Sequence, residues 1–155
     1  IHNVHMGGQI REVLDPLLLG KIAQFLANAG FNPELAGNSL VLSKVGFSDQ
    51  SVNLQITIAD LEGHKVISFV SSLDKYKTTF ERVVLAAARG NSACHIAKFV
   101  VHELPLDHDQ RFELRATTHL YADYVNEGEL SSMAYLFIKE LDEVDNELHD
   151  IMAGG

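Results

Sequence analysis

The chain has 155 residues, 46% of them hydrophobic and 21% charged, which is enough apolar material for one core and too much for an unfolded chain. Asp and Glu outnumber Lys and Arg by 21 to 12, and the formal charge of -9 repels nucleic-acid phosphates and anionic lipid heads, so direct binding to nucleic acid or membrane is not expected. No run approaches the roughly 20 apolar residues that cross a bilayer, and the single cysteine, Cys94, rules out an intrachain disulfide framework and fits a reducing compartment, so a soluble, cytoplasmic protein is expected.

Residues 1–9 show no usable period. His5-Met6 matches what a common cloning junction encodes, so this stretch reads as a tag remnant or a poorly ordered terminus, and His2 and His5 are set aside as ligands. One domain is expected over 10–153. Ile10, Val13 and Leu14 read as an early turn joined to the first helix, with a bend at Pro16. Asp15-Pro16 starts that helix, because Asp accepts from the exposed amides and Pro at the first helical position forfeits no hydrogen bond. Leu18, Ile22, Phe25, Leu26 and Ala29 recur at helical spacing, and Gly30-Phe31 suits a left-handed cap with its apolar contact. Asn32 to Asn38 reads as a loop from its Pro, Gly and Asn content.

Leu40 to Phe47 predicts a first strand, bulged near Lys44. Val52, Leu54, Ile56 and Ile58 then alternate with Asn53, Gln55, Thr57 and Ala59, the clearest strand period in the chain. Asp60 to His64 reverses it, and Lys65 to Ser72 returns as the second arm of an antiparallel hairpin. Asp74 is the expected cap of a second helix over Lys75 to Arg89, ended by Gly90-Asn91. Tyr76, Phe80, Val83, Val84 and Ala87 form one apolar side of it, and Leu85, Ala86 and Ala88 add apolar surface elsewhere. A sheet covers only one stripe of a helix, so the surplus needs either the third helix or a second subunit. Phe80, Val83, Val84, Leu85, Ala87 and Ala88 are therefore candidate dimer-interface residues.

Ile96 to Leu104 and Arg111 to Tyr121 predict two further strands around Pro105. In the second, Phe112, Leu114, Ala116 and Leu120 form a buried face against Arg111, Glu113, Arg115, Thr117 and His119. Asn126-Glu127-Gly128 precedes a last helix from Glu129 to Ala153, whose seam of Leu130, Ala134, Phe137, Leu141, Val144, Leu148 and Ile151 alternates steps of four and three. Its carboxylates, Glu140, Asp142, Glu143, Asp145, Glu147 and Asp150, crowd the end where the helix dipole favours cations. They read as a solvated acidic face, with Glu140, Glu143, Glu147 and Asp150 as the candidate surface for a basic partner.

The order helix-βββ-helix-ββ-helix resembles the bacterial YbjN-type family, whose members are described by inference as sensory transduction regulators, and through it the fold of type III secretion chaperones. The resemblance covers Ile10 to Ala153. It is carried by Ala29-Gly30-Phe31, the meander Leu40 to Ser72, the helix Lys75 to Arg89, the hairpin around Pro105, and Gly128-Glu129-Leu130 leading into the long helix. It implies an α+β domain with a largely antiparallel sheet packed by helices on one side, a homodimer with the middle helix at its interface, and a role in holding another protein without catalysis.

The residues themselves carry little chemistry. His102, Glu103, Asp107, His108 and Asp109 could supply zinc ligands, but an Asp-rich hairpin turn is ordinary solvated loop chemistry and no metal is expected. Cys94 and His95 are neighbours on an extended segment and point apart, so a thiolate and base pair is not formed. His64 and His149 read as surface residues. No serine stands in a nucleophile motif and no glycines form a phosphate loop, so neither an enzyme nor a cofactor is expected. The leading expectation is a chaperone-like or regulatory protein-binding homodimer with an unidentified protein partner. The alternative is a small-molecule sensor, or an enzyme, with a pocket between sheet and last helix, for which His102, Glu113, Arg115 and His119 are the candidate lining.

Overall fold

Strand alternation at 52–58 places its apolar groups on one side, and the return arm repeats the pattern, so the two strands pair and bury one shared face. In the computed structural model, which describes residues 10–45, 52–73, 78–105 and 112–154, these are β4 (Val52–Leu61) and β5 (His64–Leu73), in register from Leu61↔His64 to Gln55↔Val70. Glu62 and Gly63 close the hairpin with φ of 51° and 88°, as a two-residue primed turn requires, and Asp60 accepts the Gly63 N–H at 2.9 Å.

Around this hairpin stand β1 (Ile10–Glu12), α1 (Pro16–Asn28), β2 (Glu34–Ala36), β3 (Ser39–Val45), α2 (Phe80–Ala93), β6 (Lys98–Glu103), β7 (Phe112–Tyr121), a single 3-10 turn (Ala122–Tyr124) and α3 (Glu127–Ala153). The strands form one antiparallel sheet in the order β2-β3-β4-β5-β7-β6, and β1 pairs with β4 through Glu12↔Ala59 and Ile10↔Leu61. The chain is an α+β fold, with three α-helices and seven strands among the described residues.

Two of the seven lie where no strand is expected. Ile10 to Glu12 is not a helical turn, because β3 stops pairing at Thr57 and leaves the edge of β4 from Ala59 to Leu61 for β1 to take. Glu34 to Ala36, read as loop, folds back on Ser39 to Val41 through Gly37 at φ 63°. Both are three-residue strands whose partner sets them, too short for a sequence period to show. The irregularity expected near Lys44 is present as a register shift between Leu42 and Val45.

Asp15 caps α1, accepting from the Leu18 N–H at 3.1 Å and pairing with Lys65. At the other end Gly30 takes φ 97° and the Phe31 N–H reaches Leu26 O at 3.0 Å, the cap read from the sequence. The second helix departs from expectation at both ends. Its cap is Thr79, accepting from the Arg82 N–H at 3.4 Å; Asp74 lies outside the described residues. It continues past Gly90 to Ala93, since Asn91 spends its amide on the sheet edge, accepting the Phe99 N–H at 2.7 Å and donating to Phe99 O at 3.0 Å. α3 starts at Glu127 under the cap of Asn126, two residues earlier than predicted, and ends at Gly154 with φ 87°.

All three helices cover the same face of the sheet. α3 crosses the middle, its Phe137 ring edge-on to Phe69 of β5 at 6.1 Å, with α1 beside it over β3 and α2 beside it over β6 and β7. Leu130, Ala134, Phe137, Leu141, Val144 and Leu148 are buried along the predicted seam, while Met152 takes the last core place that Ile151 only half fills. Each of the large side chains stabilises the fold by roughly 1.5–3 kcal/mol relative to exposure. The space between sheet and α3, where the sensor reading needs a pocket, is filled by Ile56, Ile67, Phe69, Leu130 and Phe137.

Helix α2 can approach β6 only because position 90 lacks a side chain: a Cβ there would stand 2.5 Å from the Phe99 ring. Gly90→Ala should gain about 1 kcal/mol of helix propensity and lose about 1–3 kcal/mol to overpacking, a net destabilisation in urea titrations. Gly90→Ala with Phe99→Leu should recover most of the overpacking loss; an alanine variant more stable than wild type would show that the ring yields freely.

Candidate functional site

Because strand residues alternate, one helix-covered face leaves another carrying every second side chain. On it Arg115 lies beside Ser72, Val70 beside Gln55, Gln55 beside Val41, Thr57 beside Ser39, and Glu12 beside Ala59. The sheet curls around these groups to enclose a recess of about 820 Å³, walled by Glu12, Ser39 and Val41 on one side and Glu113 and Arg115 on the other. Its floor is held by side-chain bonds: Gln55 Nε2 donates to Ser39 Oγ at 3.3 Å, and Ser39 Oγ to Ala36 O at 3.0 Å.

Glu113, predicted to be solvated, is buried, and its carboxylate accepts from Arg115 Nε. That bond uses the side of the guanidinium. Among the described residues Arg115 makes no other hydrogen bond or ion pair, so the two terminal nitrogens of this recess-lining residue are left uncommitted. Of the other two candidate lining residues, His102 pairs across the strands with Glu113 and His119 with Ser68. They share this face but stand about 20 Å apart along the hairpin, so the four groups do not converge.

The candidate interface residues of α2 divide. Val83 and Ala87 are buried in the chain's own core, with Ala86 and Gly90. Phe80, Val84 and Leu85 remain 53%, 40% and 61% exposed, Ala88 is exposed too, and the Phe80 ring lies 5.1 Å from Phe112. A second apolar surface lies between α1 and β2, a groove of about 320 Å³ edged by Leu14, Pro16 and Leu35.

The acids of α3 are not a uniform solvated face. Glu143 and Asp150 are exposed and Glu147 holds Arg89 Nε at 2.6 Å. Glu140 is turned inward: it accepts the backbone N–H groups of His95 at 2.7 Å, Ile96 at 2.9 Å and Ala97 at 2.8 Å, tying α3 to the segment between α2 and β6. Three donors converging on one carboxylate remove it from the partner-facing set. Asp145 and His149, also read as surface, are buried and face each other one turn apart at 3.3 Å. Asp107, His108 and Asp109 lie outside the described residues, and among the described residues no group of three metal-ligand side chains gathers.

Cys94 is buried at the end of α2, and burial, reinforced by the charges of Glu140 and Glu143, pushes its thiol up to about 11. Native protein at pH 8 should react with iodoacetamide at least tenfold more slowly than urea-unfolded protein; equal rates would place the thiol in solvent. His119 is exposed as a residue, but its Nδ1 lies 2.9 Å from Ser68 Oγ, and partial desolvation of the ring, followed by the Lys98 ammonium, holds it below its ordinary value near 6.5. Folding thus favours its neutral form, so this contribution is complete above about pH 6.5 and declines as the pH falls through and below it. Melting temperatures from pH 8 to pH 5 should fall more for wild type than for His119→Gln; parallel curves would remove His119 from the acid response.

No family model matches the sequence, and no curated protein matches it. Among solved structures, the crystal structure of YbjN from E. coli, described as "a putative transcription regulator", is similar over 89% of this chain and 94% of that one, with a TM-score of 0.61 and 17% sequence identity. At that identity the likeness is one of fold: this chain has a YbjN-like α+β architecture.

Proposed function

We propose that the chain is a non-catalytic protein-binding module, regulatory or chaperone-like, that works as a cytoplasmic homodimer through the outer face of α2. The observation that carries this is the exposure of Phe80, Val84 and Leu85 after the inner face of the same helix has closed on its own core. Large apolar side chains grouped on one helix are what a second copy covers favourably. The description of YbjN as a regulator supports the functional half of the reading. A formal charge of -9 speaks against direct contact with DNA, so regulation would pass through a protein partner. The exposed carboxylates Glu143 and Asp150 leave an acidic flank on α3 for a basic surface of that partner.

The sensor reading keeps one support, the recess on the opposite side of the sheet. It has lost the site it called for, since the layer between sheet and α3 is packed.

Light scattering behind a sizing column should give the mass of a dimer. Val84→Glu and Leu85→Glu, both at exposed positions, should leave the far-ultraviolet spectrum unchanged and raise the dimer dissociation constant at least tenfold, about 1.4 kcal/mol. A wild-type chain that stays monomeric at every concentration, or two variants that dimerise like wild type, would overturn the assignment.

A further inference from the structure

We infer that the recess on the helix-free face is a groove for an extended peptide segment with an acidic group at one end and a basic group at the other. This rests on the reading of the chain as a protein-binding module and names the kind of segment bound; it uses a different face from the α2 interface.

Charge sets the two ends. At the β7 wall Glu113 occupies Arg115 Nε, and the terminal nitrogens of this recess-lining residue make no hydrogen bond among the described residues, which leaves them for a carboxylate that takes two parallel hydrogen bonds. The pair is neutral overall, so it does not repel an anion as an isolated glutamate would. Across the recess, Glu12 of β1 is exposed and faces Ala59, with no cation among the described residues hydrogen-bonded or ion-paired to it. One end of the groove therefore wants an acid and the other a base.

Distance sets the length. Tyr121, Val66, Ala59 and Glu12 form one cross-strand row, and Arg115 lies six residues along β7 from that row. Three strand spacings of about 4.8 Å and six residues of about 3.4 Å give a diagonal of about 25 Å on the flattened sheet. About seven extended residues span that at about 3.5 Å each, and the curl of the sheet shortens the path. The volume of about 820 Å³ suits such a segment. Between the ends the groove offers the hydroxyls of Ser39, Thr57 and Ser72 and the amide of Gln55, which suit a peptide backbone and tolerate many sequences.

The test uses the full chain, immobilised, and seven-residue peptide libraries with five randomised central positions. One library has Lys and Asp at the ends, made in both orders; its controls carry Gln and Asn, or Lys and Asn. At least one order of the Lys and Asp library should be retained at least tenfold over both controls. Arg115→Gln should reduce the preference for the acidic end, and Glu12→Gln the preference for the basic end, each at least fivefold. Equal retention of all libraries, or retention unmoved by both substitutions, overturns the proposal. Should Arg115→Gln fail to fold because Glu113 loses its partner, Glu12→Gln, at an exposed position, decides alone. The mass of the wild-type particle, measured in parallel, separates failure of the groove from failure of the dimer.

Discussion

The architecture depends on one inequality: the sheet has two faces, and among the described residues the helices cover only one. The alternation in β4 and β5 concentrates the large apolar groups on a single side, and α3 is the element long enough to cross the middle of that side. Once Phe137 has settled against Phe69, α1 and α2 have nowhere to pack but to its left and right. The opposite face is then left to a mixture of serine, threonine and glutamine with Val41, Val70 and Ala59, together with a pair in which Glu113 is buried and Arg115 stays partly in solvent, and its polar members can meet water or another polar chain without losing hydrogen bonds.

A second tension sits in α3. Its carboxylates oppose the dipole toward the C-terminal end, yet the helix runs unbroken from Glu127 to Ala153. Part of the conflict is removed because the acids are put to use. Glu140 collects three backbone donors that otherwise face a half-buried corner, and Glu147 reaches Arg89 of α2. These bonds join α2, α3 and the start of β6 into one unit, and they place Cys94 beneath negative charge where its thiolate is disfavoured.

Periods and caps made the long elements legible. The strands β4, β5 and β7, the cap at Asp15, the turn at Gly63 and the seam of α3 all follow from local spacing, because each is long enough or chemically specific enough to declare itself. What was illegible depends on partners distant in sequence. β1 and β2 exist only because β4 and β3 offer them edges. Gly90-Asn91 has the chemistry of a helix stop, and only the position of Phe99 turns it into a packing contact and a side-chain bridge. The same holds for the site. Glu113 and Arg115 were recognisable as neighbours on a polar face, but the curl that turns this face into a recess is a property of the whole sheet. Glu140 and His149 carry no local mark that separates an inward residue from its exposed neighbours.

Asn91 has a consequence for the free margin of the sheet. By matching both the N–H and the C=O of Phe99, its amide acts as a one-residue surrogate strand, and Glu140 occupies the Ala97 N–H next in line. The first half of β6 therefore offers no row of vacant groups on which another molecule could template, and a stack of chains growing outward from this margin would have to displace two internal anchors before its first rung formed.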